Sequence, residues 1–492
     1  MKKLLILSVL VWGTFLSVDA RLTLTLDTCR QMALSNNKQL RIAEAKIKLA
    51  RYQRREAFSA YLPHIDIAGG YLYNSRKISL LDKELQQSLP QIGTVLSQQI
   101  SSVAANNPEL AQYIALLGEI DISSLLNNAG ETIVDALSLD TRNIFVGGLS
   151  LSQPLYTGGK IRAYNQIARH NEELAESQYN TAAQDIVYRV EVLYWQVISL
   201  SYKKELATSY LQLLDTLHRD IEIMHDEGVA THSDVLSVAV RVNEAQVELS
   251  RVLDGLCLAK MVLAQVCGMD LDTQYSLIDE TAEIETAYRD QRFPIDMNDV
   301  FAHRSEIQSL IQVEQIYRNR QRIVMAEMLP SIALSGNYII SNPNIYNGFE
   351  KKFKGAFKIG IVLRVPILHW GENLYKYRAA KIDTYISHLT IDDAKDEIRL
   401  QVRQATFKID ESRKRLDMCR KNMESANQNL LNAHIGFEEG VIATSNLLEA
   451  QTAWVKARTE LINAHIDTRM CETYLNKALG LTTYCITTRY PK

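Results

Sequence analysis

The sequence predicts a mainly α protein with a small transmembrane β part, built from a strand–strand–long helical hairpin unit written twice. Three observations carry that prediction. Proline and glycine landmarks recur at fixed spacing, heptads of apolar residues follow each pair of candidate strands, and four segments of about eleven residues alternate apolar with polar side chains.

In chain order, MKKLLILSVLVWGTFLSVDA places Lys2 and Lys3 before an apolar stretch from Leu4 to Leu16 and a small-x-small site at Val18-Asp19-Ala20. This is the build of a secretory signal, and the apolar run is shorter than the roughly 20 residues of a spanning helix. Residues 1–20 are therefore read as a cleaved signal peptide. No cysteine follows the cleavage site, so no lipid anchor is expected, and no later segment supplies a membrane helix.

Length alone, 492 residues, would suggest two to four domains, but the repeat overrides that prior. Pro154 to Gly228 is 74 residues, as is Pro366 to Gly440, and Gly228 to Gly268 is 40, as is Gly440 to Gly480. EGVATHSDVL at 227 is answered by EGVIATSNLLEAQ at 439, an offset of 212. Upstream, YLPHIDIAGGYLY around Pro63 is answered by MLPSIALSGNYII around Pro330 at an offset of 267, so the first copy carries 55 extra residues. The expected units are a first repeat 21–268 with an insertion 76–142, a mid-height linker or belt 269–298, a second repeat 299–480 and a tail 481–492.

The candidate strands are 64–74, 143–153, 331–341 and 353–365, near the 9 to 11 residues with which a tilted strand crosses a bilayer. Ile65, Ile67, Tyr71 and Tyr73 oppose His64, Asp66 and Gly70, while Ile332, Leu334, Tyr338 and Ile340 oppose Ser335 and Asn337. In FKGAFKIGIVLRV, Phe353, Phe357, Ile359, Ile361 and Leu363 share one parity, and Lys354, Lys358 and Arg364 the other. Periodicity alone leaves two hairpins over a soluble core as the alternative. A barrel is favoured because Pro63, Pro154, Pro330 and Pro366 stand at the strand–helix junctions, where a missing N–H suits the exit from a ladder. It would direct the three cations into a water-filled lumen. In lipid every backbone polar group must be paired, so four strands must close with other copies; two copies reach eight strands and three reach twelve.

Each later segment carries heptads: Ile186, Val190, Leu193, Val197, Leu200, Ala207, Leu211, Leu214 and Ile221, then Ile398, Val402, Ala405, Ile409, Ser412, Leu416, Cys419, Met423, Ala426, Leu430 and Ala433. That 3.5-residue period means helices packed as a coiled coil. Without internal proline, each can run about 100 Å as one helix. Gly228 and Gly440 are expected to cap them, and Thr231-x-x-Asp234 and Asn446-x-x-Glu449 to open the next helices as capping boxes. The return path is expected as helices over 229–267 and 299–329, with the belt between them.

Composition excludes several classes. With 54 basic against 57 acidic residues and no long run of either sign, no nucleic-acid partner is expected. Six cysteines are too few and scattered for a disulfide scaffold; most are read as buried free thiols, with one helix-to-helix disulfide as the alternative. Gly159-Lys160 lacks the phosphate-cradling loop of a Walker A motif and reads as a strand-to-helix turn. His225, Asp226, His232 and Asp234 imitate a metal site but have no counterpart in the second copy. No enzyme activity, cofactor or metal is expected.

The chain resembles the outer-membrane efflux protein family, the TolC-like exit ducts, across its mature length. The residues that carry this are LTLDTCRQMALSNNKQLRIAEAKI, the LP before strands one and three, QPLYTGGKIRA and VPILHWGENLYKYRAA after strands two and four, and the EGV tips. The resemblance implies a homotrimer with a twelve-stranded outer-membrane β-barrel joined to a periplasmic α-helical barrel. It implies docking through the tips, Gly228, Val229, Gly440 and Val441, with a periplasmic adaptor (membrane fusion) protein and an inner-membrane transporter. It places Asp234, Asn446 and Glu449 at the periplasmic entrance gate, with helix capping an equal alternative for the same residues. A tyrosine and an arginine that lock the family's entrance correspond here to Phe437 and Ile442, which points to a hydrophobic or differently placed latch. The insertion is read as an exterior surface loop or a lid. The competing class is a structural or adhesive coiled-coil protein of the outer membrane.

Overall fold

The computed structural model describes residues 22–75, 77–105, 121–139, 141–280, 295–344, 346 and 351–482. The predicted signal peptide, residues 106–120 of the insertion, 281–294 of the belt and 483–492 of the tail lie outside them. The chain forms two compact units, one of Met1–Arg54, Gln166–Gln321 and Ala379–Lys492, the other of Arg55–Asn165 and Arg322–Arg378.

The second unit is organised by one antiparallel sheet. Its strands are β2 (His64–Tyr73), β5 (Asn143–Tyr156), β7 (Ser331–Asn342) and β8 (Lys354–Arg364), in the order β2-β5-β7-β8. All four predicted strands are present, but the expectation that Pro154 ends its strand is corrected. Pro154 lies inside β5 opposite Ala333, and the strand continues through a register shift to Tyr156. Pairing with β2 stops at Ser152, so from there β5 has a free edge on that side, where a missing N–H is tolerated. The turn is made by Gly158 and Gly159, with φ of 62° and 88°. A Cβ on Gly158 would stand 2.8 Å from the Ala326 carbonyl oxygen, so the chain can pass there only as glycine. Pro63 and Pro330 directly precede β2 and β7, and Pro366 follows β8 by one residue.

Between β2 and β5 the insertion is a folded unit. The short strands β3 (Ile78–Ser79) and β4 (Ser138–Leu139) pair at its base, beneath α3 (Lys83–Ser88), α4 (Ile92–Ala105) and α5 (Ile122–Ala136). Helices α4 and α5 meet backbone to backbone: a Cβ on Gly93 would stand 2.2 Å from the Ser123 oxygen. Asn127 closes the contact, accepting from the Gly93 N–H at 2.8 Å and donating to Thr94 Oγ1 at 2.8 Å. The described part of the insertion is thus an ordered subdomain.

The first unit is helical. Numbering the helices through the chain, α1 is Leu26–Asn36, α2 Lys38–Ser59, α6 Lys160–Asp226, α7 His232–Cys267, α8 Met297–His303, α9 Ser305–Ala326, α10 Glu372–Glu438 and α11 Thr444–Ala478. Helices α6 and α10 have 67 residues each, about 100 Å of continuous helix. Along α10 the heptad residues from Ile398 to Met423, and Ala433, are buried, with Ala426 and Leu430 half-buried. The stripe on α6 is wider, adding Tyr194 and Ile198, because α1, α7 and the strands β1 (Leu22–Leu24) and β6 (Tyr275–Leu277) share one core with it.

The return path departs from expectation at one residue. The second piece is broken between α8 and α9 at Arg304, whose backbone is extended. Its buried guanidinium donates to the carbonyls of Lys477 and Ala478 at 3.2 and 3.1 Å, the open end of α11, and to Gln401 Oε1 at 3.2 Å. The same joint occurs in the first copy: between α1 and α2, Asn37 donates to the Val266 carbonyl near the end of α7 at 3.0 Å. Gly268 and Gly480 close these joints with φ of 74° and 73°, against Asn36 and His303. Arg304 follows Asn37 by the same 267 residues that separate Pro330 from Pro63.

Candidate functional sites in the sheet and at the hairpin tips

Register assigns every side chain of the sheet to a face. One polar row, Asp66–Ser150–Asn337–Lys358, crosses all four strands, flanked by His64–Ser152–Ser335–Gly360. Lys354 and Arg364 lie on this face opposite Ser341 and Ser331. Lys358 Nζ stands 5.8 Å from the centre of the Tyr346 ring. The three predicted cations therefore share a face with every polar side chain of that row. On the other face run Ile65–Leu151–Gly336–Ile359 and Ile67–Leu149–Tyr338–Phe357.

The apolar face is bare in one chain. Phe357, Ile359, Ile361 and Leu363 are 76, 72, 69 and 61% exposed, far beyond the scattered apolar exposure usual in water. At one end of the face, Tyr71, Phe145 and Phe353 form an aromatic cluster with ring centres 4.6 and 5.9 Å apart, and Tyr71 donates to Asn143 Oδ1. Aromatic residues at that position are what an interface between lipid and water selects. Tyr338 lies across Gly355, where a Cβ would stand 2.3 Å from its hydroxyl oxygen. Strands β2 and β8 each have a single neighbour among the described residues, so both sheet edges are open.

The two hairpin tips sit together in the helical unit. Each long helix ends in a Schellman turn: Gly228 and Gly440 have φ of 77° and 73°, Val229 N–H donates to the Met224 oxygen and Val441 N–H to the Gly436 oxygen, both at 2.8 Å. The turns leave Val229 and Val441 projecting, 72 and 81% exposed. Behind them Leu214, Leu217, Ile221, Val238, Leu447 and Leu448 form a common core, with Phe437 packed against it. Ile442 folds back over Gly436, where a Cβ would stand 2.6 Å from its Cδ1. Both Phe437 and Ile442 are therefore engaged in packing within the chain.

The tips differ in their caps. Thr231 and Asp234 form the predicted capping box, with Asp234 N–H donating to Thr231 Oγ1 at 3.2 Å and Thr231 N–H to Asp234 Oδ2 at 3.0 Å. The Thr231 hydroxyl also donates to Asp234 Oδ2 at 2.6 Å, and these bonds hold the carboxyl below its ordinary range. The second box is corrected: α11 starts from Ala443 with no side-chain cap, and Asn446 and Glu449 are exposed on its first turns. Alanine at the position of Thr231 has no oxygen to offer, so the reciprocal bond cannot form.

Asp234 and Glu449 both line one groove of about 770 Å³ between the starts of α7 and α11. Asn446 is not among its lining residues. Sequence reasoning missed its other charges: Arg241, Glu244 and Lys456 line it too, with Arg241 and Glu244 paired at 2.8 Å. The groove has mixed charge. Helical spacing is the signal that finds Arg241, two turns after Asp234 on the same stripe. His225 and His232 lie with ring centres 5.7 Å apart, and no group of three metal-ligating side chains occurs among the described residues. No described helix is long and apolar enough to cross a membrane.

The duplicated architecture has close structural parallels. CusC, known from crystal structures concerned with folding and transmembrane channel formation, superposes with a TM-score of 0.71 at 15% identity, covering 92% of this chain and 91% of that one. The outer membrane protein VceC of Vibrio cholerae gives 0.69 at 15% identity, covering 92 and 96%, and the Campylobacter jejuni CmeC outer membrane channel 0.68 at 16%, covering 92 and 85%. At such identities the likeness is one of fold. No curated protein matches the sequence. The model of the outer membrane efflux protein family matches residues 29–268 and 297–481, both copies of the repeat. The chain therefore belongs to the outer membrane efflux protein family.

Proposed function

We propose that the protein is the outer-membrane exit duct of a tripartite efflux or type I secretion system. It would conduct drugs, small toxic molecules or polypeptides passively, as a homotrimer whose three four-stranded sheets close one twelve-stranded barrel. The observation that carries this reading is the sheet itself: a polar row across all four strands, an apolar face left bare, and two open edges. An open apolar sheet is unstable in water, and an open edge is forbidden in lipid; closure among copies resolves both. The adhesive coiled-coil alternative has no use for a polar row facing a lumen.

The helical unit then lies in the periplasm, with Val229 and Val441 presented to an adaptor that connects to an inner-membrane transporter. Asp234 and Glu449 of three chains would surround the entrance, with Arg241 and Lys456 tempering their field. The energy for transport comes from the pump. The direct test is to purify the protein from outer membranes and record single channels in planar bilayers. Cysteines at 229 and 441, in a background lacking the natural ones, should crosslink to an adaptor in cells. A water-soluble monomer without conductance would end this reading.

A further inference from the structure

We propose that Cys29 and Cys267 are joined by a disulfide in the mature protein, stapling α1 to the end of α7. The inference rests on the exit-duct reading, because that reading puts the helical unit in the periplasm, where disulfides form and persist. The two cysteines are 238 residues apart in sequence, and both are fully buried in the core shared by α1, α6 and α7.

The Cys267 side chain already touches the backbone of Cys29. Cys267 Sγ lies 3.6 Å from the Cys29 carbonyl oxygen, which sets the Cys267 side chain directly against the residue it would bond to. The surrounding backbone is clamped on both sides of the pair. Asn37 holds the Val266 carbonyl at 3.0 Å, and Gly268 fits against Asn36, so the ends of α1 and α7 cannot drift apart without breaking the joint. The hydrogen bond from Cys267 holds the Cys29 thiol below its ordinary value, while that bond and burial raise Cys267. The remaining described cysteines are placed differently: Cys257 is exposed, Cys471 half-buried, and Cys419 buried in a separate cluster with Leu416 and Ala464.

The oxidant is a periplasmic dithiol oxidoreductase in its disulfide form. The Cys29 thiolate attacks one sulfur of that disulfide, giving a mixed disulfide and releasing the other sulfur as a thiolate. The Cys267 thiolate then attacks Cys29 Sγ. The intramolecular bond forms, the carrier leaves as a dithiol, and it has gained the two electrons and two protons lost by the pair. Full burial requires this exchange to precede final packing of α1. It also shields the finished bond from reductants afterwards.

The test is made on the full chain from the outer-membrane fraction, prepared without reductant. The sequence has six cysteines, so a maleimide probe in denaturant should label four, and six after reduction in denaturant. Treating the native protein with reductant first should still leave four. Trypsin should release residues 22–30 linked to 261–289, lighter than the two free peptides by two hydrogens. Cys29→Ser and Cys267→Ser should each show five labelled thiols. Six labelled thiols in outer-membrane protein, or a different linked pair, would overturn the disulfide and leave the duct reading intact. Absence of the protein from the outer membrane would overturn the duct reading and this inference with it.

Discussion

The face assignment of β8 can be tested with two neighbouring substitutions of opposite consequence. Ile359 is at the middle of the strand, in the apolar row with Ile65 and Leu151, and is 72% exposed in one chain. In the proposed barrel it meets the hydrocarbon core, where an acidic residue at mid-depth costs about 2 kcal/mol per chain. Three copies make that about 6 kcal/mol per trimer, and at roughly 1.4 kcal/mol per decade the assembly constant falls about 10⁴-fold. Ile359→Glu should therefore reduce heat-modifiable trimer in outer membranes to a trace. Lys358→Glu, one residue away, lies in the polar row opposite Asn337. It should assemble normally while changing the lumen by roughly six unit charges over three copies, moving the reversal potential in a KCl gradient toward cation preference. If Lys358→Glu blocks assembly and Ile359→Glu does not, the faces are inverted and the lumen argument fails.

Other expectations follow from the joints and caps. Arg304→Ala leaves the Lys477 and Ala478 carbonyls and Gln401 without their buried donor and should cost about 3 kcal/mol, against about 1 kcal/mol for Asn37→Ala, whose bonds to the Val266 carbonyl and from the exposed Gln39 N–H are neutral. Thermal unfolding followed by circular dichroism measures both, and equal losses would remove the special role of Arg304. Ala443→Ser supplies the missing cap of α11 and should stabilise it by about 1 kcal/mol, while Thr231→Ala should destabilise α7 by a similar amount; hydrogen exchange at the tip amides reads each separately. His465 is buried with no partner for Nδ1, and burial first, then Arg420, Arg458 and Arg469, lower it from 6.5 to about 4. The unfolded chain then binds the proton more readily, so stability is complete above pH 6.5 and falls as the pH drops toward 4, by about 3 kcal/mol. His465→Gln should flatten that part of the profile.

What was legible in the sequence had local causes. Strand parity, the long heptads and the glycines at 228 and 440 each reflect a rule acting within a few residues, and each appears in the structure with its expected side chains. The misses required knowledge of a distant partner. Pro154 sits within β5 because β2 has already stopped pairing beside it, which depends on a register set 88 residues away, at His64 opposite Ser152. Arg304 breaks a helix whose periodicity runs on, because the end of α11, 174 positions later, offers open carbonyls. Asn446 has the right residue type for a cap, but the helix starts two residues earlier. At the tips, the motif led to Asp234 and Glu449, while Arg241 and Lys456, each two turns further along the same helix, carry no capping motif to single them out.

The open edges of the sheet have a genetic consequence. If β8 of each copy must find β2 of the next, a chain with a damaged edge does more than lose its own function; it takes intact chains out of service with it. At equal expression of intact and damaged alleles, and random mixing, only about one trimer in eight would contain three intact chains. A substitution that cripples β2 or β8 should therefore be dominant over a resident wild-type copy, whereas a deletion that removes the sheet altogether should be recessive.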